Sequence, residues 1–579
     1  MKRQMPYALC NFEKIIRDNY YFVDKTHFIQ ELEKVNFPVF LRPRRFGKSL
    51  FTQILKWYYD IEARDRFQEL FGHLYIGKNP TKLHNTFFFL DMDFSGMSAY
   101  PGKDIDFIKK QFDLKINTYL TGFLRRYRKK IGINEKYIEN FQKNYTPDAC
   151  VGLEKIIALT GENNGKIFVT IDEYDSLTNS LALMYKEAPP GESLYLDLLR
   201  KGGFFRNFFE TLKNGTKSAV DRIYITGILP ITIADMNSGF NIAQWITFDE
   251  KFTHMLGITG KELEELLDEV YRDHDIDLEK NQVKTILRDY YNGYRFLPGK
   301  EHVYNPMMTL YFLDQLVNHQ KIPDNLLDPN LSTQYDQVSY LFGCNIEQRD
   351  SIIEEITEKK EIYFPSTMKI TFDMVDFKEG KHITEGLYYL GILTYGDEKG
   401  VLTIPNLVTY EMVLTYFQKI KKFELPANRF SKWIKEYLQK GDIEYLLQGF
   451  FQEVIIKFPG DFFKDVNESF YRGLLFHLLY NNLFKDEYEV LPEYNLPGGT
   501  VDIMVRSFPG AGVRCRLSDL IEIKRVAKGA SDKEFAGKVR QGKEQMNKYL
   551  TGDYRGWRGI VVCFRGNKDY KLSIQECKS

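Results

Sequence analysis

An α/β fold with two separate sheets is predicted, and three stretches predict it. The first is Pro38–Tyr59, PVFLRPRRFGKSLFTQILKWYY, where an apolar run passes into helical spacing across a loop ending in Gly-Lys-Ser. The second is Lys166–Asp175, KIFVTIDEYD, a continuous apolar run ending in two carboxylates. The third holds TVDIMV and LIEIK, between Thr500 and Lys524, in which apolar and charged positions alternate. Continuous apolar runs suit parallel strands covered on both faces, and alternation suits strands with one charged face. The expected order is a parallel-sheet domain at 1–255, a helical lid with a winged-helix-like region at 256–425, and a smaller α/β domain with a helical lead-in at 426–579.

At 579 residues the chain exceeds one hydrophobic core, and 43% hydrophobic with 27% charged residues is a globular composition. Lys+Arg and Asp+Glu both number 79, so whole-chain charge gives no hint of a polyanionic partner. The six cysteines are scattered, with no C-x-x-C and no His/Cys cluster. Neither a zinc site nor a disulfide framework is indicated, and a reducing, cytoplasmic setting is expected. The start has charges throughout, and no apolar run approaches the roughly 18 residues needed to span a bilayer. The expectation is a soluble protein without a membrane partner.

Taken in order, Val39, Phe40 and Leu41 read as a buried strand, and Leu50, Ile54 and Leu55 take up helical spacing. The loop between them has the residue types of a phosphate-binding P-loop, the Walker A arrangement. Gly47 admits close approach of an oxyanion, and the first helical amides point at it with the positive end of the dipole. Lys48 would reach the β and γ phosphates of ATP, and the Ser49 hydroxyl would ligate Mg²⁺. Arg44, Arg45 and Phe46 complete the expected nucleotide-binding loop. Arg42 stands where the usual pattern has its first glycine, and a positive φ there would strain it. Gly-Lys-Ser alone is also an ordinary helix start; the flanking strand and helix supply the context that makes it a nucleotide signal.

Thr86–Phe94 reads as a second strand. Ile167–Ile171 reads as a third, and its terminal Asp172-Glu173 has the Walker B form. Carboxylates at that edge lie where open α/β sheets bind ligands. Asp172 would hold Mg²⁺ through water and Glu173 would polarise the attacking water. Arg222–Leu229 reads as a further strand, with Thr226 near its end as a γ-phosphate sensor. From about Thr259 the pattern is helical, with turn points at Gly293 and at 303–306. Residues 383–406 read as a helix followed by two strands joined at Gly396–Gly400, a winged-helix outline. Its few basic residues favour an intramolecular lid or a protein contact over nucleic acid.

In the last third, NESFYRGLLFHLLYNNLF carries a helical apolar stripe with Glu468 at its start. Strands are expected at Tyr488–Tyr494, Thr500–Arg506 and Leu517–Lys524, then a basic helix over 533–550 and a final strand at 559–564. Residues two apart on a strand share a face, so Glu522 and Lys524 lie together, and a hairpin would bring Asp502 to them. Two carboxylates suit a hard cation such as Mg²⁺, or Mn²⁺ in its place. The cation would lower the pKa of a bound water while Lys524 oriented it or met the added charge. Glu468 would be a further metal ligand or a partner of Arg472. Between Lys524 and Arg558 ten Lys/Arg stand against four Asp/Glu, a candidate phosphate-backbone track.

Together YFVDKT (21–26), RPRRFGKSL (42–50), LDMDFSG (90–96), FVTIDEYD (168–175), YNGYRF (291–296), VYNP (303–306) and the terminal VDIMV and IEIK resemble the AAA-ATPase-like proteins with a C-terminal PD-(D/E)XK nuclease domain. The resemblance runs through nearly the whole chain. It implies a P-loop NTPase sheet followed by a restriction-endonuclease-like α/β domain. It carries Lys48, Ser49, Asp172 and Glu173 over to ATP and Mg²⁺, Asp502, Glu522 and Lys524 to the nuclease site, and Gln545 on the late helix to the same site. Val501 replaces the usual proline before the aspartate. The expected function is an ATPase coupled to a Mg²⁺-dependent nuclease acting on nucleic acid, DNA first, in defence or mobile-element processing. The alternative is a nucleotide-dependent switch or scaffold that binds nucleic acid or a partner without cutting. No arginine finger can be named, so a homo-oligomer that completes the ATP site stays open.

Overall fold

A computed structural model describes residues 2–98, 103–145, 148–184, 194–320, 322–323, 325–328, 351–352, 355–356, 361–365, 367–420, 427–457, 468–483 and 487–576. The chain divides into two compact units, one built mainly of Met1–Val317 and Tyr363–Asn406, the other mainly of Leu407–Ser579. The helices between 260 and 317 and the hairpin between 394 and 403 thus belong to the same unit as the parallel sheet. Among the described residues no helix is long and apolar enough to cross a membrane.

The first unit is organised on five parallel strands, β1 (Pro38–Leu41), β2 (Phe88–Asp93), β3 (Ile167–Asp172), β4 (Val220–Gly227) and β5 (Gln244–Trp245). Their order across the sheet is β2-β3-β4-β1-β5. β1 and β3 are buried along their whole length, as expected of runs covered on both faces. β4 lies between them, so the loops after β1 and β3 open at one edge of the sheet. Helix α1 (Lys48–Tyr59) follows β1 directly, and α2 (Ile105–Ile131) and α3 (Ala149–Glu162) belong to the β2–β3 connection. Beyond the sheet come α4 (Gly260–Asp273), opened by a Thr259/Glu262 capping box, then α5 (Lys280–Tyr291) and α6 (Pro306–His319). The winged outline is present as α7 (Ile383–Tyr389) and the antiparallel pair β6 (Thr394–Tyr395) and β7 (Val401–Thr403).

The second unit has helices α8 (Ala427–Lys440), α9 (Ile443–Glu453) and α10 (Glu468–Asn482), then β8 (Tyr488–Leu496), β9 (Gly499–Ser507) and β10 (Ser518–Val526). α11 (Asp532–Tyr549) follows, then β11 (Arg558–Arg565) and β12 (Asp569–Glu576). The five strands lie in sequence order; β10 and β11 are parallel and the other pairs antiparallel. The strand at 559–564 is therefore not the last. β12 has no clear sequence signal, because an edge strand with half-exposed positions carries no apolar run. A Ser531/Glu534 capping box starts α11, which packs Met546, Tyr549 and Leu550 against Val501, Met504, Leu520 and Val561.

Candidate functional site

The loop from Arg42 to Gly47 turns between β1 and α1 with Arg45 at φ 66° and Gly47 at φ 92°. Gly47 is the residue type that left-handed backbone favours, immediately before the helix. Arg42 is not among the positive-φ residues, so the strain considered for it does not arise. Its side chain is instead buried, 1% exposed, and donates through Nη1 to the carbonyls of Leu41 (2.9 Å) and Thr247 (3.0 Å). The guanidinium lies 4.3 Å from the Phe40 ring centre and 4.0 Å from that of Phe296. Burial without a carboxylate partner pushes its pKa down to about 10, so it stays charged at neutral pH.

Lys48 turns back on the same loop, its Nζ donating to the carbonyls of Arg42 and Pro43, each at 2.9 Å. Burial lowers its pKa to about 8 against the opposing pull of Asp172, Glu173 and Asp175. Asp172, at the end of β3, accepts from the Glu173 amide at 3.0 Å and from the Ser49 side chain. Burial pushes its carboxyl up to about 6, while Ser49 and Lys48 pull it back. Glu173 sits at φ 50°, and its pKa too is raised by burial. Asp93, paired in register with Asp172, adds a third negative charge at this edge.

A cavity of about 490 Å³ is lined by Arg44, Arg45, Gly47, Lys48, Ser49 and Glu173. Its further walls are ones the sequence did not announce as functional: the N-terminal segment from Pro6 to Cys10, Ser95 and Ser98 after β2, and Pro306 with Leu310 at the start of α6. The only sequence signals for them were LDMDFSG and VYNP. Asp175, also on the wall, accepts from the amides of Ile228 and Leu229, fixing the exit of β4 to the end of β3. An apolar cavity of about 90 Å³ adjoins it, lined by Phe22, Val23, Leu256 and Ile258 and sharing Gly47, Leu50 and Pro306 with the larger one.

Of the expected nucleotide contacts, Thr226 lies away from both cavities and Phe46 lines only the smaller one. Thr226 is fully buried, and its hydroxyl donates to the Phe40 carbonyl at 2.8 Å across the β4–β1 pair, so it does not face the larger cavity. Phe46 is buried edge-on to Tyr294 (4.9 Å between ring centres) and Phe296 (5.3 Å), and lines the smaller cavity. These rings belong to YNGYRF, whose Arg295 donates to the Gly396 carbonyl and to Asp397 of the winged hairpin. Thus one face of the P-loop serves the cavity, and the other is keyed to the hairpin.

In the second unit, Asp502, Glu522 and Lys524 do come together. One antiparallel step beyond the Ile503–Ile521 pair, Asp502 faces Glu522. Asp502 Oδ2 accepts from the Ile523 amide at 2.6 Å, and Oδ1 from Arg472 at 3.0 Å. Lys524 Nζ donates to Glu522 Oε1 at 2.7 Å, while Glu522 Oε2 is buried with no hydrogen-bond partner. Burial, then the charge of Asp502, pushes Glu522 up to about 7. Asp502 is also raised by burial, with Arg472 opposing.

Glu468 accepts from the Arg525 amide at 3.2 Å and stands 3.7 Å from Lys524, while Arg472 donates to Asp502. Gln545 Oε1 is buried and unpartnered. Among the described residues no group of three or more His, Cys, Asp or Glu side chains is arranged to hold a metal ion; this applies to Glu468 with Asp502 and Glu522 as to any other set. On the basic stretch, Lys528, Lys533, Arg540, Lys543, Lys548 and Arg555 are exposed. Arg558 leaves the track, because its guanidinium pairs with buried Asp519 at 2.7 Å.

Comparison with known proteins locates the resemblance in the first unit. Residues 6–237 match the AAA-ATPase-like family model, described as a predicted AAA-ATPase. The matched segment holds β1 to β4, the loops that follow β1 and β3, and the N-terminal wall of the larger cavity. A curated protein of Azotobacter chroococcum mcd 1, described as an uncharacterized protein in the vnfD 5' region, is 24% identical over 324 residues. The match covers 53% of this chain and 51% of the relative, so the chain spans about half the length of the curated relative it matches. The crystal structure of Cdc6p from Pyrobaculum aerophilum aligns over 70% of this chain and 98% of its own, at 11% identity and a TM-score of 0.28.

Proposed function

We propose that the chain binds and hydrolyses ATP in its first unit and governs with it a divalent-metal-dependent nuclease in its second. The observation that carries the reading is the 490 Å³ cavity, where the loop cations and the carboxyl of Glu173 face one another at the N-terminus of α1. A triphosphate matches this: the helix start and Lys48 meet its charge, and Lys48 exchanges two loop carbonyls for phosphate oxygens. The adjoining apolar cavity suits a nucleobase. Ser49 and Asp172 fit Mg²⁺, since Asp172 is a buried carboxyl met chiefly by one hydroxyl and one amide. Mg²⁺ held there would supply charge neutralisation at the β and γ oxygens.

For the second unit, the support is the unpartnered Glu522 Oε2 beside a second carboxylate, an arrangement that a cation relieves. Asp502 and Glu522 would hold Mg²⁺, which supplies Lewis acidity toward a phosphodiester oxygen. Lys524, oriented by Glu522, would meet the charge that develops, and Gln545 would offer an acceptor to the attacking water. The exposed basic residues of α11 fit a phosphate backbone, DNA first, and a role in defence or mobile-element processing would employ such an ATP-governed activity. The second reading, binding without cutting, draws its support from Arg472, which donates to Asp502 Oδ1 and so occupies one of the two carboxylates.

The test is direct. Purified chain should release phosphate from ATP, Lys48→Ala should abolish this, and Glu173→Gln should bind ATP without turnover. With Mg²⁺ or Mn²⁺ it should nick plasmid DNA at a rate that changes with ATP, and Glu522→Ala or Lys524→Ala should remove nicking. Salt-sensitive DNA binding with no cleavage under any divalent metal would establish the switch or scaffold instead.

A further inference from the structure

We infer that Arg44 is a catalytic arginine supplied in cis: its guanidinium stabilises the charge that builds on the γ-phosphate as water displaces ADP. The inference rests on the ATPase reading and deepens it.

RPRRFGKS has three arginines, and their environments separate them. Arg42 is buried in the framework, bonded to carbonyls of Leu41 and Thr247 and facing two rings. Arg45, at φ 66°, lines the same cavity as Arg44, but its charge is felt by Cys10 on the N-terminal side, whereas that of Arg44 is felt by Lys48 and Glu173. Arg44 lines the cavity with Lys48, Ser49 and Glu173, and among the described residues its guanidinium has no hydrogen bond and no ion pair. A long cationic side chain on a cavity wall, unclaimed by any acid, is available to an anion.

Its position in the loop says which part of the anion. Lys48 Nζ touches the Pro43 carbonyl, so the Arg44 backbone starts one peptide away from the ammonium that reaches the β and γ phosphates. Arg44 is also felt electrostatically by Lys48 and by Glu173, the group placed to polarise water. It therefore stands at the γ end of the triphosphate.

In the step itself, Glu173 takes a proton from water as the water oxygen bonds to the γ phosphorus. The bond from that phosphorus to the β–γ bridging oxygen breaks, and its electron pair leaves on ADP. Charge gathers on the bridging and γ oxygens, which a planar two-pronged donor meets better than a point charge. With this arginine in the same loop as Lys48, no neighbouring chain need provide one.

The experiment uses the full chain with Arg44→Ala and Arg44→Lys, their folding compared with wild type by circular dichroism. Affinity for a fluorescent ATP analogue should stay within about fivefold of wild type, while kcat falls by ~10²–10³-fold in Arg44→Ala. Arg44→Lys should recover less than about a tenth of the loss, since a point charge lacks the fork. Trapping of ADP with aluminium fluoride, which mimics the transferring phosphoryl group, should be lost in both. Turnover per chain should not change on dilution, and mixing Arg44→Ala chains with Lys48→Ala chains should restore nothing. Near-wild-type kcat in Arg44→Ala, turnover that rises with chain concentration, or restoration on mixing would each overturn the inference. Failure of wild type to bind the analogue at all would sink the ATPase reading itself.

Discussion

Restoring the usual glycine at position 42 should damage this protein. A P-loop normally begins with glycine, so Arg42→Gly looks on paper like a repair. Arg42 is not in the positive-φ region, hence glycine relieves no strain there. The substitution removes a buried cation whose pKa burial pushes well down, to about 10, a relief of about 3 kcal/mol at roughly 1.4 kcal/mol per unit.

Against that relief stand two charged hydrogen bonds to Leu41 and Thr247, roughly 1.5–3 kcal/mol each, with those carbonyls then losing their donor. Two ring faces at 4.0 and 4.3 Å add about 0.5–2 kcal/mol each, and the emptied space adds a cavity term. Losses win, and the expected net destabilisation is about 3–5 kcal/mol. Because the Arg42 carbonyl also receives Lys48 Nζ, ATP affinity should fall with stability. Urea unfolding and binding of a fluorescent ATP analogue read the two effects. An Arg42→Gly protein as stable as wild type, binding nucleotide equally well, would refute the reasoning that makes Arg42 an anchor.

Further tests reach the rest of the chain. Gly293→Ala should cost about 3 kcal/mol or more: φ is 95°, and an added Cβ would stand 1.8 Å from the Pro405 carbonyl oxygen. A variant with unchanged thermal unfolding would contradict that. Asp519→Ala should cost about 3 kcal/mol, since it strips Arg558 and the Tyr437 hydroxyl of a shared buried acceptor. Asp519→Asn should cost less, and equal loss in the two would argue against the ion pair as cause. Mn²⁺ affinity at the Asp502/Glu522 site should weaken as pH falls through about 7. The raised pKa keeps Glu522 protonated below that point, so the ion must displace a proton, about tenfold per pH unit. Affinity flat from pH 6 to 8 in a calorimetric titration would show that Glu522 does not take part.

What could be read from residue order was whatever depends on local pattern. Val39–Leu41, Ile167–Ile171 and the TVDIMV and LIEIK alternation announce their strands because strand burial has a short period. Asp502, Glu522 and Lys524 could be grouped because same-face spacing on paired strands follows from that period. What needed the tertiary structure was the fate of each polar tip. Three arginines alike in sequence divide into a buried framework anchor and two cations on one cavity wall, one felt by Cys10 and the other by Lys48 and Glu173. Thr226 turns into the sheet, Phe46 joins the rings of YNGYRF, and Arg472 crosses to Asp502. Local spacing chooses the face a residue occupies, but its hydrogen-bond partner comes from segments tens or hundreds of positions away, and only the folded packing brings those within reach.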